Sequence, residues 1–197
     1  MIKISNLTKK FDELVIFDNI NVIFPSKGLC FVSSPSGSGK TTLLNLLSLI
    51  DKDYSGDIFI NDINYKSIIN SEEFRGNNFS YIFQENDLFN NLSIKDNLCI
   101  DKDIDIKDIL KKVRLNVDEN RLVNTLSLGE YKRVSLARAI INESKVIFID
   151  ELTASLDFEN KKIIMDIIKE ISKCALIIYV SHDTELIHTY ADFIYKI

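Results

Sequence analysis

A chain of 197 residues and 22.6 kDa is long enough for one domain with a sizeable core. Its 46 % hydrophobic and 27 % charged residues are ordinary for a globular protein, and its net charge of −5 runs against a nucleic-acid binder, which carries a basic excess. No run approaches the roughly 20 apolar residues of a membrane helix, the opening MIKISNLTKKF lacks the apolar core of a signal peptide, and Cys30, Cys99 and Cys174, without C-x-x-C spacing, point to a reducing compartment, Cys30 and Cys174 reading as small buried hydrophobes.

Residues 1–11 alternate around Ile2 and Ile4 and predict an edge strand. Residues 15–17 and 20–24 continue the pattern about a predicted turn at Asp18-Asn19, and Pro25 to Gly28 turns the chain into the apolar run 29–32. This predicts a small antiparallel sheet leading into a loop of small residues, 33–39, followed by Lys40, Thr41, Thr42 and an apolar helix to residue 50. The helix is apolar on most sides, as a helix central to a domain must be.

The loop and helix start read SPSGSGKTT, close to the phosphate-binding pattern G-x-x-x-x-G-K-[ST]. Small residues let backbone N–H groups curl around a phosphate chain, a lysine reaches the outer phosphates, and a hydroxyl coordinates Mg²⁺. The helix N-terminus adds partial positive charge. Ser34 stands where the pattern has its first glycine, while Gly37, Gly39, Lys40 and Thr41 are in place.

Further along, residues 56–60 predict a strand closed by an Asn61-Asp62 turn, and 79–83 a strand ending at Gln84. Ser93 with Asp96 marks a helix start, and 105–114 carry a helical stripe through Ile106, Ile109, Leu110 and Val113. After a turn at Gly129, residues to 141 predict an amphipathic helix, with Val134, Leu136, Ala137, Ile140 and Ile141 opposite Lys132, Arg133 and Arg138. Lys145 to Glu151, KVIFIDE, is a continuous apolar strand ending in two acids, as in strands buried on both faces of a parallel sheet. An amphipathic helix at 158–172, a strand at 175–180 ending in Ser181-His182-Asp183, a short helix at 185–190 and a strand at 193–197 close the chain. This alternation predicts a parallel α/β core.

An acidic pair at a strand end serves phosphoryl transfer when one acid holds the Mg²⁺ shell and the next orients or deprotonates water; alone, it reads equally as capping or surface acids. Together, the motifs resemble the ATP-binding subunit of an ABC transporter across almost the whole chain. SPSGSGKTT resembles the Walker A loop, Gln84 in YIFQE the Q-loop glutamine, LSLGE (126–130) the signature, VIFIDE Walker B with its glutamate, ASLD (154–157) the D-loop, and His182 in YVSHD the switch histidine.

The resemblance implies an α/β P-loop NTPase fold, one ABC-type ATPase domain over 1–197, with a parallel core sheet, an N-terminal antiparallel β subdomain and a short helical subdomain at about 85–140. It implies ATP and Mg²⁺ as cofactors. Phosphates fall to Ser34, Pro35, Ser36, Gly37, Ser38, Gly39, Lys40, Thr41 and Thr42, and the metal shell to Thr41, Gln84 and Asp150. Glu151 is the implied general base, with Gln84 and His182 beside it, His182 as γ-phosphate sensor. Phe11 is implied to stack on adenine, the alternative being a core phenylalanine. Ser127 and Gly129 are implied to act on nucleotide held by a second ATPase subunit across a two-fold dimer, and Glu130 and Asp157 are implied to belong to the nucleotide-binding residues. A separate transmembrane permease would dock near 84–92, placing the protein in the cytoplasm on the inner face of the membrane. LLNLLSLID, SGDIFIND and FRGNNFSYIFQENDLFNNLSIKDN are similar to exporter-type ATPases of lipoprotein release, macrolide efflux and antimicrobial-peptide or bacteriocin export.

The pattern is broken at Ser34, where positive φ would cost a serine on the order of 1 kcal/mol, at Leu128 for a signature glycine and at Leu152 for the proline after the glutamate. The region 97–126 is shorter than in relatives, and the chain stops soon after the last strand. Two alternatives follow: an ATP-binding regulatory subunit with weak hydrolysis, which Glu151 and His182 oppose, and a soluble ABC ATPase outside transport, which the acidic charge and single cassette oppose.

Overall fold

The computed structural model describes residues 1–33, 35, 37–84, 87–98 and 105–197. Strands β1 (Ile2–Phe11) and β2 (Leu14–Phe24) form an antiparallel hairpin, reversed at Asp12 with φ 50°. After β3 (Gly28–Ser33) and α1 (Lys40–Leu47), the chain returns in β4 (Ser55–Ile60) and β5 (Ile63–Asn64). The order β2-β1-β4-β5 corrects the predicted edge strand: β4 adds antiparallel to the free side of β1, so β1 is interior. The predicted turn at Asp18-Asn19 is also absent. Asn19 takes φ 54° within a continuous β2, and the register slips between Leu7 and Lys9 to absorb it, a bulge that sharpens strand twist. The short polar helix α2 (Ser71–Asn78), capped by Asn70 accepting from the Glu73 amide, has too weak an apolar stripe to be read in advance.

The chain continues through β6 (Phe79–Ile82), α3 (Ile94–Leu98), α4 (Ile106–Lys112), α5 (Leu128–Ile141), β7 (Val146–Asp150), α6 (Phe158–Ser172), β8 (Leu176–Val180), α7 (Thr184–Tyr190) and β9 (Phe193–Lys196). Among the described residues, the second sheet is parallel throughout, in the order β6-β7-β8-β3-β9. Strand alternation divides its side chains between two cores. Cys30, Val32, Phe148, Ile178 and Val180 face α1 and the antiparallel sheet, whereas Phe31, Ile147, Ile149, Ile177 and Tyr179 share a cluster with α3 to α7. Helix α1, between two sheets, buries Leu43, Leu44, Leu46 and Leu47. It stops short of the predicted residue 50 because Leu49 turns the chain at φ 61°.

Helix α5 begins at Leu128, so Gly129 lies in its first turn and Ser127 is the cap. Lys132, expected on a solvated face, is buried, its ammonium donating to the Gln84 carbonyl just after β6. Cys30 is buried as expected. Cys174 is exposed in the turn before β8, and Cys99 lies outside the described residues. Among the described residues, no helix is long and apolar enough to cross a membrane.

Candidate functional site

Strands β3, β7 and β8 run parallel and adjacent, so the loops leaving their C-terminal ends open side by side, the usual place for a ligand in a parallel sheet. After β3, Gly37 and Gly39 take φ of 79° and 89°, the left-handed region where glycine alone is unstrained. Gly39 is constrained twice over, since a Cβ there would lie 2.3 Å from Ile16 Cγ2 and 3.0 Å from Phe17 Cζ. The chain then enters α1, whose first amides and Lys40 face the loop. Lys40 Nζ donates to the Pro35 carbonyl at 2.9 Å, spanning the concavity a phosphate would enter. Ser34 and Ser36 lie outside the described residues.

Thr41 Oγ1, in the first turn of α1, donates to Asp150 Oδ2 at 2.7 Å, at the end of β7. Burial pushes the Asp150 carboxyl above its usual range and the Glu151 charge adds to this, while the Thr41 hydroxyl and the Lys40 ammonium pull the other way. Such a carboxylate gains from a cation brought beside it. Glu151 has φ 45°, and its amide donates to the Val180 carbonyl of β8 at 3.1 Å. Glu151 Oε1 and His182 Nδ1, on the loop after β8, are 3.0 Å apart. Buried Tyr179 fixes the segment between them, its hydroxyl meeting the Thr153 amide at 3.1 Å and Thr153 Oγ1 at 2.7 Å. Gln84, exposed just after β6, has its carbonyl bonded by Lys132 Nζ.

Gly37, Gly39, Lys40, Thr41, Thr42, Gln84, Asp150 and Glu151 thus line one cleft of about 370 Å³, with Ile16 on its wall. A larger hollow of about 600 Å³ opens among Ala139, Ile147, Ile171 and Cys174 at the opposite end of the sheet. It lacks a glycine loop and an acid pair, so chemistry singles out the smaller cleft.

Other expected residues lie elsewhere. Ser127 caps α5, accepting from the Glu130 amide, while Glu130 accepts from the Ser127 amide at 2.8 Å and pairs with Arg121 at 3.1 Å. The Ser127 amide bond outweighs burial, and with Arg121 it holds the Glu130 carboxyl below its usual range. Asp157 caps α6 by accepting from the Asn160 amide at 2.9 Å. These two helix starts touch, since a Cβ on Gly129 would stand 2.3 Å from Asn160 Oδ1. Phe11 is no core residue: it is 49 % exposed at the hairpin end. Among the departures, Leu128 is largely exposed at the start of α5, and Leu152 is fully buried in the core. Sequence reasoning missed the supports: Tyr179 reads as part of a buried strand, Lys132 as solvated and Ile16 as strand alternation, and Thr153 carries no signal of its own.

The family model described as ABC transporter matches residues 17–154, which spans the glycine loop, Gln84, the capped start of α5 and the acid pair. The chain belongs to the ABC transporter family. It is an ATP-binding subunit of that type and an ABC-type ATPase. The lipoprotein-releasing system ATP-binding protein LolD of Buchnera aphidicola is 34 % identical over 200 residues, covering 92 % of this chain and 87 % of LolD. The Fe(3+) ions import ATP-binding protein FbpC of Escherichia coli is 32 % identical over 196 residues, 92 % of this ABC protein but 55 % of FbpC. The ATP-binding cassette MJ0796, solved as a dimer in a post-hydrolysis state bound to ADP and Pi, aligns with a TM-score of 0.86 at 25 % identity, covering 100 % of this chain and 94 % of that one. The cbiO1 protein of Clostridium perfringens, part of the cbiONQ transporter complex, shares the fold, with a TM-score of 0.88 at 23 % identity over 99 % of this chain and 83 % of its own.

Proposed function

We propose that this ABC ATPase binds ATP with Mg²⁺ in the 370 Å³ cleft and hydrolyses it as one half of a dimer that drives a separate transmembrane permease. The observation that carries this is the 2.7 Å contact from Thr41 to Asp150, which puts a hydroxyl and a carboxylate side by side at a helix N-terminus. Hard oxygen donors at such a site suit Mg²⁺, which keeps waters and phosphate oxygens in its shell. The fit supports Thr41, Asp150 and Gln84 as its holders. When bound, the ion neutralises phosphate charge. Lys40 and the amides of residues 36–42 bind the phosphates, Phe11 stacks the base, and Glu151 takes a proton from the attacking water, with His182, 3.0 Å away, turned toward the terminal phosphate.

Ser127, Gly129, Glu130 and Asp157 would act on nucleotide held by the second ATPase subunit, identical or homologous. In support, their two helix starts form one patch outside this chain's own cleft. The segment of about 85–140 serves as the helical subdomain of the single domain 1–197, and the surface near Gln84 and exposed Phe89 receives the permease, which holds the protein at the cytoplasmic face of the membrane. The relatives include a lipoprotein-release protein and an iron importer. We favour export of a peptide, lipoprotein or drug, because the release protein is matched over most of its length.

The test is phosphate release by the purified chain. Glu151→Gln should lose about 10²–10⁴-fold in turnover while keeping ATP and accumulating as dimer, with Lys40→Ala as the binding-deficient control. Parental turnover in Glu151→Gln would remove the assigned base.

A further inference from the structure

Lys9 has an unusual setting for a lysine near the end of a hairpin. It is 2 % exposed, with Nζ 2.9 Å from Asp51 Oδ2 and 3.2 Å from Asp53 Oδ2. It also donates to the Asp53 carbonyl at 2.6 Å and lies 4.6 Å from the centroid of the Phe11 ring. A lysine is almost never buried unless paired, and here the two aspartates supply the partners. Burial alone lowers the ammonium's pKa, but the hydrogen bonds and charges of Asp51 and Asp53 outweigh it and hold Lys9 above the usual lysine value.

Two structural consequences follow. Asp51 and Asp53 sit on the segment leaving α1, and the Asp51 amide donates to the Asn45 carbonyl within that helix. The staple therefore ties β1 to the far end of the helix whose first turn carries Lys40 and Thr41. Because α1 has 8 residues, about 12 Å of rigid rod fixes the spacing between Phe11 and the phosphate loop. Second, Phe11 belongs to neither apolar cluster, so core packing does not orient its ring. The ammonium lies over the ring, 4.6 Å from its centroid, and the residue as a whole is half exposed. A cation over one face of an aromatic is attractive and fixes the ring's orientation.

We propose that Lys9 is a positioning residue for base recognition: stapled by Asp51 and Asp53, it holds the Phe11 ring from behind, at a set distance from the phosphate loop, and leaves the open face to stack a purine. This rests on the reading of Phe11 as the base-stacking residue. A buried, charge-satisfied ammonium supplies what a half-exposed aromatic on a hairpin lacks, a fixed plane.

The experiment compares dissociation constants of the full chain for ATP and for tripolyphosphate, which has the phosphates and no base. Lys9→Met should weaken ATP binding about three- to tenfold and leave tripolyphosphate unchanged. Lys9→Arg, which keeps a cation over the ring, should recover most of the loss. Phe11→Leu should weaken ATP at least as much, and Lys9→Met should then add nothing in the Phe11→Leu background. If Phe11→Leu weakens ATP while Lys9→Met does not, the role of Lys9 is overturned and the stacking role stands. Equal losses of ATP and tripolyphosphate in Lys9→Met would show a structural role only and also overturn the proposal. Unchanged ATP binding in Phe11→Leu would remove the stacking reading itself. Should Lys9→Met fail to fold, Asp53→Asn, at a largely exposed position, carries the test with a smaller expected loss confined to ATP.

Discussion

The contact between the starts of α5 and α6 gives a prediction in which two opposing terms can be separated. Gly129 has an ordinary helical conformation, so replacing it with alanine in an otherwise unchanged helix should stabilise the fold by about 0.5–1 kcal/mol. The structure sets one contact against that gain. The new Cβ would lie 2.3 Å from Asn160 Oδ1 and 2.6 Å from its Cγ, closer than real carbons approach, so the Asn160 side chain must swing away and give up the bond its Nδ2 donates to Asp157 Oδ2 at 2.7 Å. That exposed bond is worth on the order of 0.5 kcal/mol, so Gly129→Ala should fall within about 0.5 kcal/mol of neutral, short of the full helix gain. Asn160→Ala alone loses the same bond. In the Asn160→Ala background, Gly129→Ala should show its full gain of about 0.5–1 kcal/mol. Urea titrations of the four proteins give the coupling energy directly, expected at about 0.5 kcal/mol. A Gly129→Ala effect of the same size in both backgrounds would refute the steric account.

Three further outcomes follow from the site and its supports. Thr41→Val removes the hydroxyl that satisfies Asp150; Mg²⁺-dependent ATP affinity should fall some ten- to hundredfold (about 1.5–3 kcal/mol) in a binding titration, with metal-free binding nearly unchanged. Asp51 and Asp183 hold their carboxyls below the usual range, the Asp53 amide and Lys9 outweighing burial at Asp51, and Lys161 outweighing it at Asp183. Their stabilisation is therefore complete above the unfolded value of about 3.9 and lost as pH falls through the lower folded values, so urea midpoints should be flat from about pH 8 to 5 and fall below about pH 4. Leu128→Gly, at an exposed position, should cost no more than about 1 kcal/mol of stability yet raise steady-state phosphate release if close backbone approach to a partner's nucleotide limits turnover.

What the sequence displayed and what it withheld divide along physical lines. Backbone-determined features were legible: the glycines of the loop at 37 and 39, which the structure shows left-handed, the Ser93–Asp96 cap, the turn at Asn61-Asp62 (φ 46° and 67°), and helix α6, whose bounds match the predicted 158–172. Each depends on residues within a turn or so of one another. What failed depended on partners distant in sequence. Whether β1 is an edge is decided by β4, and whether Lys132 is solvated is decided by partners such as the carbonyl of Gln84. Phe11 and Cys174 show the same rule in reverse, since neither composition nor alternation can say how far the fold leaves them exposed.

The same distinction explains how the site is built. The glycine loop, the acid pair and His182 announce themselves because each carries unusual chemistry in a short string. What makes them one site is the order β7-β8-β3: three parallel neighbours deliver three loops to one rim, and in-register pairs such as Val32 with Val180 and Asp150 with Val180 end the strands at one level. Glu151 then lies over the end of β8 by its own amide, and Tyr179, reaching up from β8 to Thr153, prevents the segment after Glu151 from drifting. Removing the Tyr179 hydroxyl touches neither phosphate nor water, but it leaves the Thr153 amide buried without its acceptor. Burial of Leu152 serves the same end, since an apolar side chain drawn into the core directly after Glu151 anchors the backbone that carries it. The position of Glu151, the proposed base, therefore depends on core residues, and its precision should be lost through them as readily as through the acid itself.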